Sequence, residues 1–242
     1  MSFHTTRWSL VVRARRDDAD GRRALDELCA IYWPAVYAAY RREGLDVEAA
    51  RDLTQGLFAD LLHRGDFGKA NRERGRFRAW LRACARNFLH NERDRALAQR
   101  RGGGRQVLSI DVAAEEDRLL TEPLDRLDPA ALFERRWAQA VIESALDRLQ
   151  QAEVAAGRAA SFAALRPALD GVATLRPWAE LAAELGVTEG SLRVAAHRLR
   201  GRYRDRVLAE IRDTLDDPAT AGAELDELLR ALRAESPTPR SP

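Results

Sequence analysis

Lysine is almost missing from this chain: of 242 residues, Lys69 is the sole lysine, against 39 arginines. β-branched residues are scarce as well, with 25 Val, Ile and Thr against 75 Ala and Leu. Strands draw on the first group and helices on the second, so a large sheet is excluded and an all-α fold is expected. The two cysteines, Cys29 and Cys84, supply neither a disulfide framework nor a zinc knuckle, which points to a reducing, cytoplasmic location. The longest charge-free stretch, Leu28 to Tyr40, is too short to span a bilayer. No signal peptide opens the chain, so no membrane insertion is expected. His4, His63, His90 and His197 are scattered, and Asp60 and His63 form a lone D-x-x-H pair with no second copy, so no di-iron or other metal site is expected. Gly-rich phosphate loops and nucleophile elbows are absent too. No catalytic residue and no cofactor is expected, and an enzyme is the weaker class.

What is abundant is arginine. A GC-rich coding bias would explain the excess without reference to function. Phosphate and base recognition, where a planar guanidinium outperforms an ammonium, would make it functional. Placement separates the two. The formal net charge is only +2, from 40 basic and 38 acidic residues. Residues 1–105 carry 22 basic and 14 acidic groups, with 11 against 3 in residues 72–105. Residues 106–134 reverse this, 2 against 8; residues 135–215 return to 13 against 10, and residues 216–242 carry 3 against 6. Such a segmented pattern differs from a uniformly solvated surface.

Gly102-Gly103-Gly104, Pro123 and Pro129 punctuate the first acidic segment, which lacks a sustained apolar period. Residues 102–130 therefore read as a flexible linker between two small helical domains, 1–101 and 131–215. Beyond them, residues 216–242 form an extension, with an amphipathic helix over Leu225, Leu228, Leu229 and Leu232 and a disordered Ser/Pro tail, Ser236 to Pro242. That acidic helix has two readings. It folds back over a functional face of the domains or meets a regulator, or it completes the second domain.

In the first domain, Leu25, Leu28, Ile31, Tyr32 and Tyr40 mark a helix kinked or broken near Pro34. Asp46 caps the next, whose apolar stripe is Leu53, Leu57 and Leu61. Phe77, Trp80, Leu81, Cys84 and Phe88 line a third helix ending near Arg101, with Arg78, Arg82, Arg86, Asn87, Asn91 and Arg93 on its other faces. Trp8, Val11 and Val12 suggest a short N-terminal helix. In the second domain, Phe133, Trp137, Val141 and Ala145 repeat every four residues, and Phe162, Leu165 and Leu169 follow in another helix. Pro177 suits the start of the next.

Ala182 and Gly186, followed by Leu192 and Ala195, have helix-turn-helix spacing. The small residue permits a close crossing, the glycine supplies a left-handed turn, and the later apolar positions lock the second helix, capped by Thr188 and spanning 189–211. On that helix Arg193, His197, Arg200 and Arg204 share a face, flanked by Arg198, as a helix entering the major groove requires.

Three segments then stand in order. Asp52-Leu53-Thr54-Gln55-Gly56-Leu57-Phe58 is similar to a D-L-x-Q-x-x-F polymerase-docking helix. Phe77-Arg78-Ala79-Trp80-Leu81 with Ala85-Arg86-Asn87 is similar to a helix that opens and reads the −10 promoter element. Trp178 to Arg200, with Gly190-Ser191-Leu192-Arg193 and His197-Arg198, is similar to a −35-reading helix-turn-helix. Together they resemble the extracytoplasmic-function (ECF) sigma factors of bacterial RNA polymerase, over roughly 20–101 and 130–211. The resemblance implies a region 2-like helical bundle and a region 4-like helix-turn-helix domain, acting with core RNA polymerase in promoter recognition, melting and initiation. It implies that Asp52, Leu53 and Gln55 contact the polymerase. Arg78, Arg82, Arg86 and Arg93 track phosphates of the −10 region, Asn87 lies in the pocket of an extruded base, and Asn91 is nearby. Ser191, Arg193, His197, Arg198 and Arg200 serve the −35 region. The partners implied are core polymerase, promoter DNA and an anti-sigma factor or other regulator. The chain departs from the family at Arg51 and Gly56, where glutamate is common, and at Val194-Ala195, where Ser-Arg is usual. Residues 135–176 are longer than usual, and 205–235 extend past the normal end. The competing reading is a helix-turn-helix regulator of duplex DNA without polymerase docking. The first domain discriminates, because a regulator needs neither Asp52 and Gln55 nor Asn87.

Overall fold

The computed structural model describes residues 13, 16, 18–64, 77–98, 112–121, 127–169, 176–212 and 218–233. They form nine α-helices: α1 (Ala19–Arg42), α2 (Val47–His63), α3 (Phe77–Ala98), α4 (Val112–Thr121), α5 (Pro129–Ala155), α6 (Ala159–Leu165), α7 (Trp178–Glu184), α8 (Glu189–Arg212) and α9 (Ala221–Arg233). Short 3-10 turns follow α6 and precede α9. No strand occurs among the described residues, and the fold is all-α. The chain divides into two compact units: Met1–Ala140 with Ile211–Pro242, and Val141–Glu210. The division falls inside α5 and near the end of α8, whereas the sequence pattern placed it at a linker. Trp8, Val11, Val12, Gly102 to Gly104, Pro123 and Ser236 to Pro242 lie outside the described residues, as does the Leu25 side chain.

The first unit is organised around α1. Leu28, Ile31, Tyr32, Trp33, Ala35, Val36, Tyr37, Ala38 and Tyr40 are all buried, and a helix apolar on every side must be enclosed by others. It packs against α2, α3 and α4. The helix does not break at Pro34, which lies inside the continuous span Ala19–Arg42. Proline in a helix interior costs about 3 kcal/mol, and burial of the aromatic and aliphatic residues around it offsets that loss; Trp33 and Tyr37 stack at 4.8 Å. Asp46 caps α2 as expected, accepting the Ala49 amide at 2.8 Å. Phe77, Leu81, Ala85 and Leu89 form the buried stripe of α3, and the Tyr40 hydroxyl donates to the Ala85 carbonyl at 2.8 Å. Burial pushes the Cys29 thiol up to about 12, which makes it an inert packing residue.

Two segments depart from the sequence expectation. Ten residues of the expected linker form α4, and its Glu115 and Glu116 side chains are anchored. The Arg41 guanidinium grips Glu116 through two bonds of 2.6 and 3.0 Å, joined by the Tyr37 hydroxyl at 2.6 Å. Glu115 and Arg136 form a buried ion pair at 3.0 Å. The second departure is α9, which belongs to the first unit and does not complete the second. Its buried side include Ala221, Glu224 and Leu228, and the Leu232 carbonyl accepts a bond from Arg135 at 2.6 Å.

In the second unit, Leu146, Leu149, Phe162, Leu165, Leu181, Ala182, Leu192, Ala196 and Leu199 make one core. Glu153, also buried, takes Arg158 at 2.7 Å and Arg202 at 2.9 Å. The hydrogen bond from Arg158 holds this carboxyl below the usual glutamate range.

Candidate nucleic-acid interface

Helices α7 and α8 form the helix-turn-helix. Gly186 adopts φ +65°, the left-handed conformation that glycine takes without penalty. Its amide donates to the Ala183 carbonyl at 3.2 Å, and the Val187 amide reaches back to the Ala182 carbonyl at 3.0 Å. This Schellman pairing ends α7. Thr188 then opens α8, its hydroxyl oxygen accepting the Ser191 amide at 3.2 Å. Leu192, Ala196, Leu199 and Tyr203 recur at i, i+4, i+7 and i+11 and hold α8 against the core.

Arg193, His197, Arg200 and Arg204 are exposed on α8, as is Arg198, but two of these arginines have partners within the chain. Arg193 is exposed but engaged: it donates to Glu189 at 2.5 and 3.0 Å and lies 5.4 Å from the Trp178 ring. Arg200 donates to the Ala168 carbonyl at 3.2 Å, which closes the 3-10 turn after α6. These two lean sideways. The stripe opposite the core is Gly190, Val194, His197 and Gly201, with Arg198 beside it, all exposed. Ser191 is exposed as well, its hydroxyl accepting from Thr188 at 2.8 Å. No atom stands within 4 Å of a Cβ added at Gly190 or Gly201. Packing within the chain therefore does not require these glycines, although a glycine inside a helix costs about 0.5–1 kcal/mol relative to alanine.

Helix α3 presents a different picture. Arg78, expected to track phosphates, is buried. It meets Glu134 at 2.8 Å, Glu227 at 2.9 Å and Glu224 in a close ion pair, and it lies 4.4 Å above the Trp137 ring. Arg82 shares Glu134 at 3.0 Å. The expectation for Arg78 is corrected on this ground: a buried guanidinium surrounded by carboxylates is an internal tie, not a phosphate contact. Arg93 is exposed and bonded to Glu43 at 3.2 Å. Arg86, Asn87 and Asn91 are exposed, with Asn87 pointing directly away from the buried stripe. A cavity of about 310 Å³ lies on another side of α3, between Tyr40, Leu89 and Phe133. Arg82, Arg86, Glu43 and Asp128 balance its rim, so it has no charge preference.

On α2, Asp52 is exposed, 3.5 Å from Arg51, and Leu53 is half-buried. Gln55 is buried among Thr54, Leu57 and Phe58, so its side chain does not share the outward face of Asp52. The glutamates that hold Arg78 escaped sequence reasoning. The available signal was the acid excess of 106–134 and of the tail, whose charges match the basic excess of α3. No helix among the described residues is long and apolar enough to cross a membrane, and none of their His, Cys, Asp and Glu side chains gather in threes to hold a metal ion. No family model, curated protein or solved structure matches the chain.

Proposed function

We propose that this chain is a sigma-type subunit that binds core RNA polymerase in the cytoplasm and directs it to promoters. The observation carrying this reading is the α7–α8 helix-turn-helix, whose outer stripe offers His197 and Arg198 to a polyanion. In this reading the second unit reads the −35 element in the major groove. Helix α3 of the first unit serves the −10 element with Asn87, Asn91, Arg86 and Arg93, and Asp52 on α2 faces the polymerase. The protein makes and breaks no bonds; it holds melted DNA by exposed amides and cations and duplex DNA by base-edge contacts. An anti-sigma factor or other regulator would act on the same surfaces.

Run-off transcription with purified bacterial core polymerase and promoter-bearing DNA tests the reading. A stable core complex and specific transcripts are expected, and their absence refutes it. Asn87→Ala is expected to weaken promoter melting more than duplex binding, and Arg193→Ala to weaken −35 binding. One observation favours a second reading, a helix-turn-helix regulator without polymerase: Gln55 and Arg78 are turned inward. Specific duplex binding without any core complex would select it.

A further inference from the structure

Three large hydrophobic side chains are exposed among the described residues, and two of them, Val187 (45 %) and Val194 (49 %), belong to the helix-turn-helix. Val194 sits in the second turn of α8, two positions on from the buried Leu192, and so points away from the core. Gly190 and Gly201 lie on the same stripe, and no atom stands within 4 Å of a Cβ added at either. Arg198 is exposed on one flank and Arg193, paired with Glu189, lies on the other, with His197 between. Asp205, exposed one turn past Gly201, ends the stripe. An exposed apolar tip with the exposed Arg198 beside it matches one feature of duplex DNA. The major groove presents base-pair edges between phosphates, and its one apolar group is the 5-methyl of thymine.

We infer that Val194 is a specificity-determining contact of α8, selecting a thymine through its 5-methyl group. This rests on the proposed function only as far as duplex binding. Arg198 and His197 supply affinity; Val194 tells thymine from cytosine, which lacks the methyl and carries an amino donor in place of the O4 acceptor.

The test begins with random duplexes selected by the full chain, alone and with bacterial core polymerase. Each thymine of the selected duplex is then replaced by uracil, which removes the methyl and leaves pairing intact. At one thymine the replacement is expected to weaken binding about fourfold, as one buried methyl predicts. In Val194→Ser the thymine-to-uracil ratio there is expected to fall to about one, and Val194→Ile to retain it. Thermal melting of both variants should match the parent. A selected site with no thymine under α8, equal binding of thymine and uracil duplexes, or a ratio unchanged in Val194→Ser each overturns the inference. A methyl effect abolished by Val194→Ser in a chain that forms no core complex refutes the sigma reading alone. A core complex without a methyl effect refutes this inference alone, and a chain that selects no duplex refutes both.

Discussion

Helices α3 and α8 are both long and arginine-rich, yet Arg78 on the one and Arg198 on the other are used in opposite ways. On α3, Arg78 is buried in the first unit and meets Glu134, Glu224 and Glu227, and the half-exposed Arg82 shares Glu134. On α8, Arg198 and His197 are exposed on the side away from the core. The number of cations on a helix therefore says little about its availability to DNA. The acids brought to it by other segments decide. The acidic stretches that looked like spacers in the sequence contribute partners: Glu115 and Glu116 from α4, Glu134 from α5, and Glu224 and Glu227 from α9.

The largest effect that would break this contrast is at Arg78. Arg78→Ala is expected to destabilise the chain by about 3–5 kcal/mol, because Glu224 would remain buried without its countercharge. Urea unfolding measures this. An unchanged midpoint combined with lost DNA binding would return Arg78 to the DNA-facing set. Arg198→Ala should do the reverse, costing about 1–3 kcal/mol of duplex affinity while leaving unfolding unaltered; a stability loss there would erase the difference between the helices. In their response to acid the two units should behave alike. The hydrogen bond from Arg41 lowers Glu116 in the first unit, and that from Arg158 lowers Glu153 in the second. A carboxylate with a depressed folded value stabilises above its unfolded value, ordinarily 4.5, and that contribution disappears as pH falls through the folded value. Glu153→Gln should flatten the acid limb of a stability–pH profile, and an unchanged limb would refute its role. The smallest effect expected is at Gly201. Gly201→Ala should stabilise the helix by about 0.5–1 kcal/mol yet reduce duplex affinity, as melting and binding titrations would show. Gains in both would mean that nothing approaches α8 there.

Local chemistry was legible in the sequence where partners lie within a few residues. Asp46 and Thr188 cap their helices, Gly186 turns between α7 and α8, and the spacing of Phe133, Trp137, Val141 and Ala145 marks a buried stripe. What escaped depends on distant pairs. Helix α4 has too short an apolar period to announce itself, and its anchors are Arg136 and the Tyr37–Arg41 pair, the latter 75 and 79 residues away. Helix α9 belongs to the first unit, and one of its ties there is Arg78, 149 residues from Glu227. Of the candidate site, the helix-turn-helix was legible because its spacing is local. The partners of Arg193 and Arg200 were not, because Glu189, Trp178 and the Ala168 carbonyl engage them only in the folded chain.

The environment of Arg78 also bears on the near-absence of lysine. A guanidinium carries five N–H donors in a plane, whereas an ammonium carries three on a tetrahedral point. Serving Glu134, Glu224 and Glu227 while lying over Trp137 draws on the higher donor valence and the planar shape together. At this position arginine acts as a coordination centre for three helices, a role that an equal charge on a lysine side chain would leave unfilled.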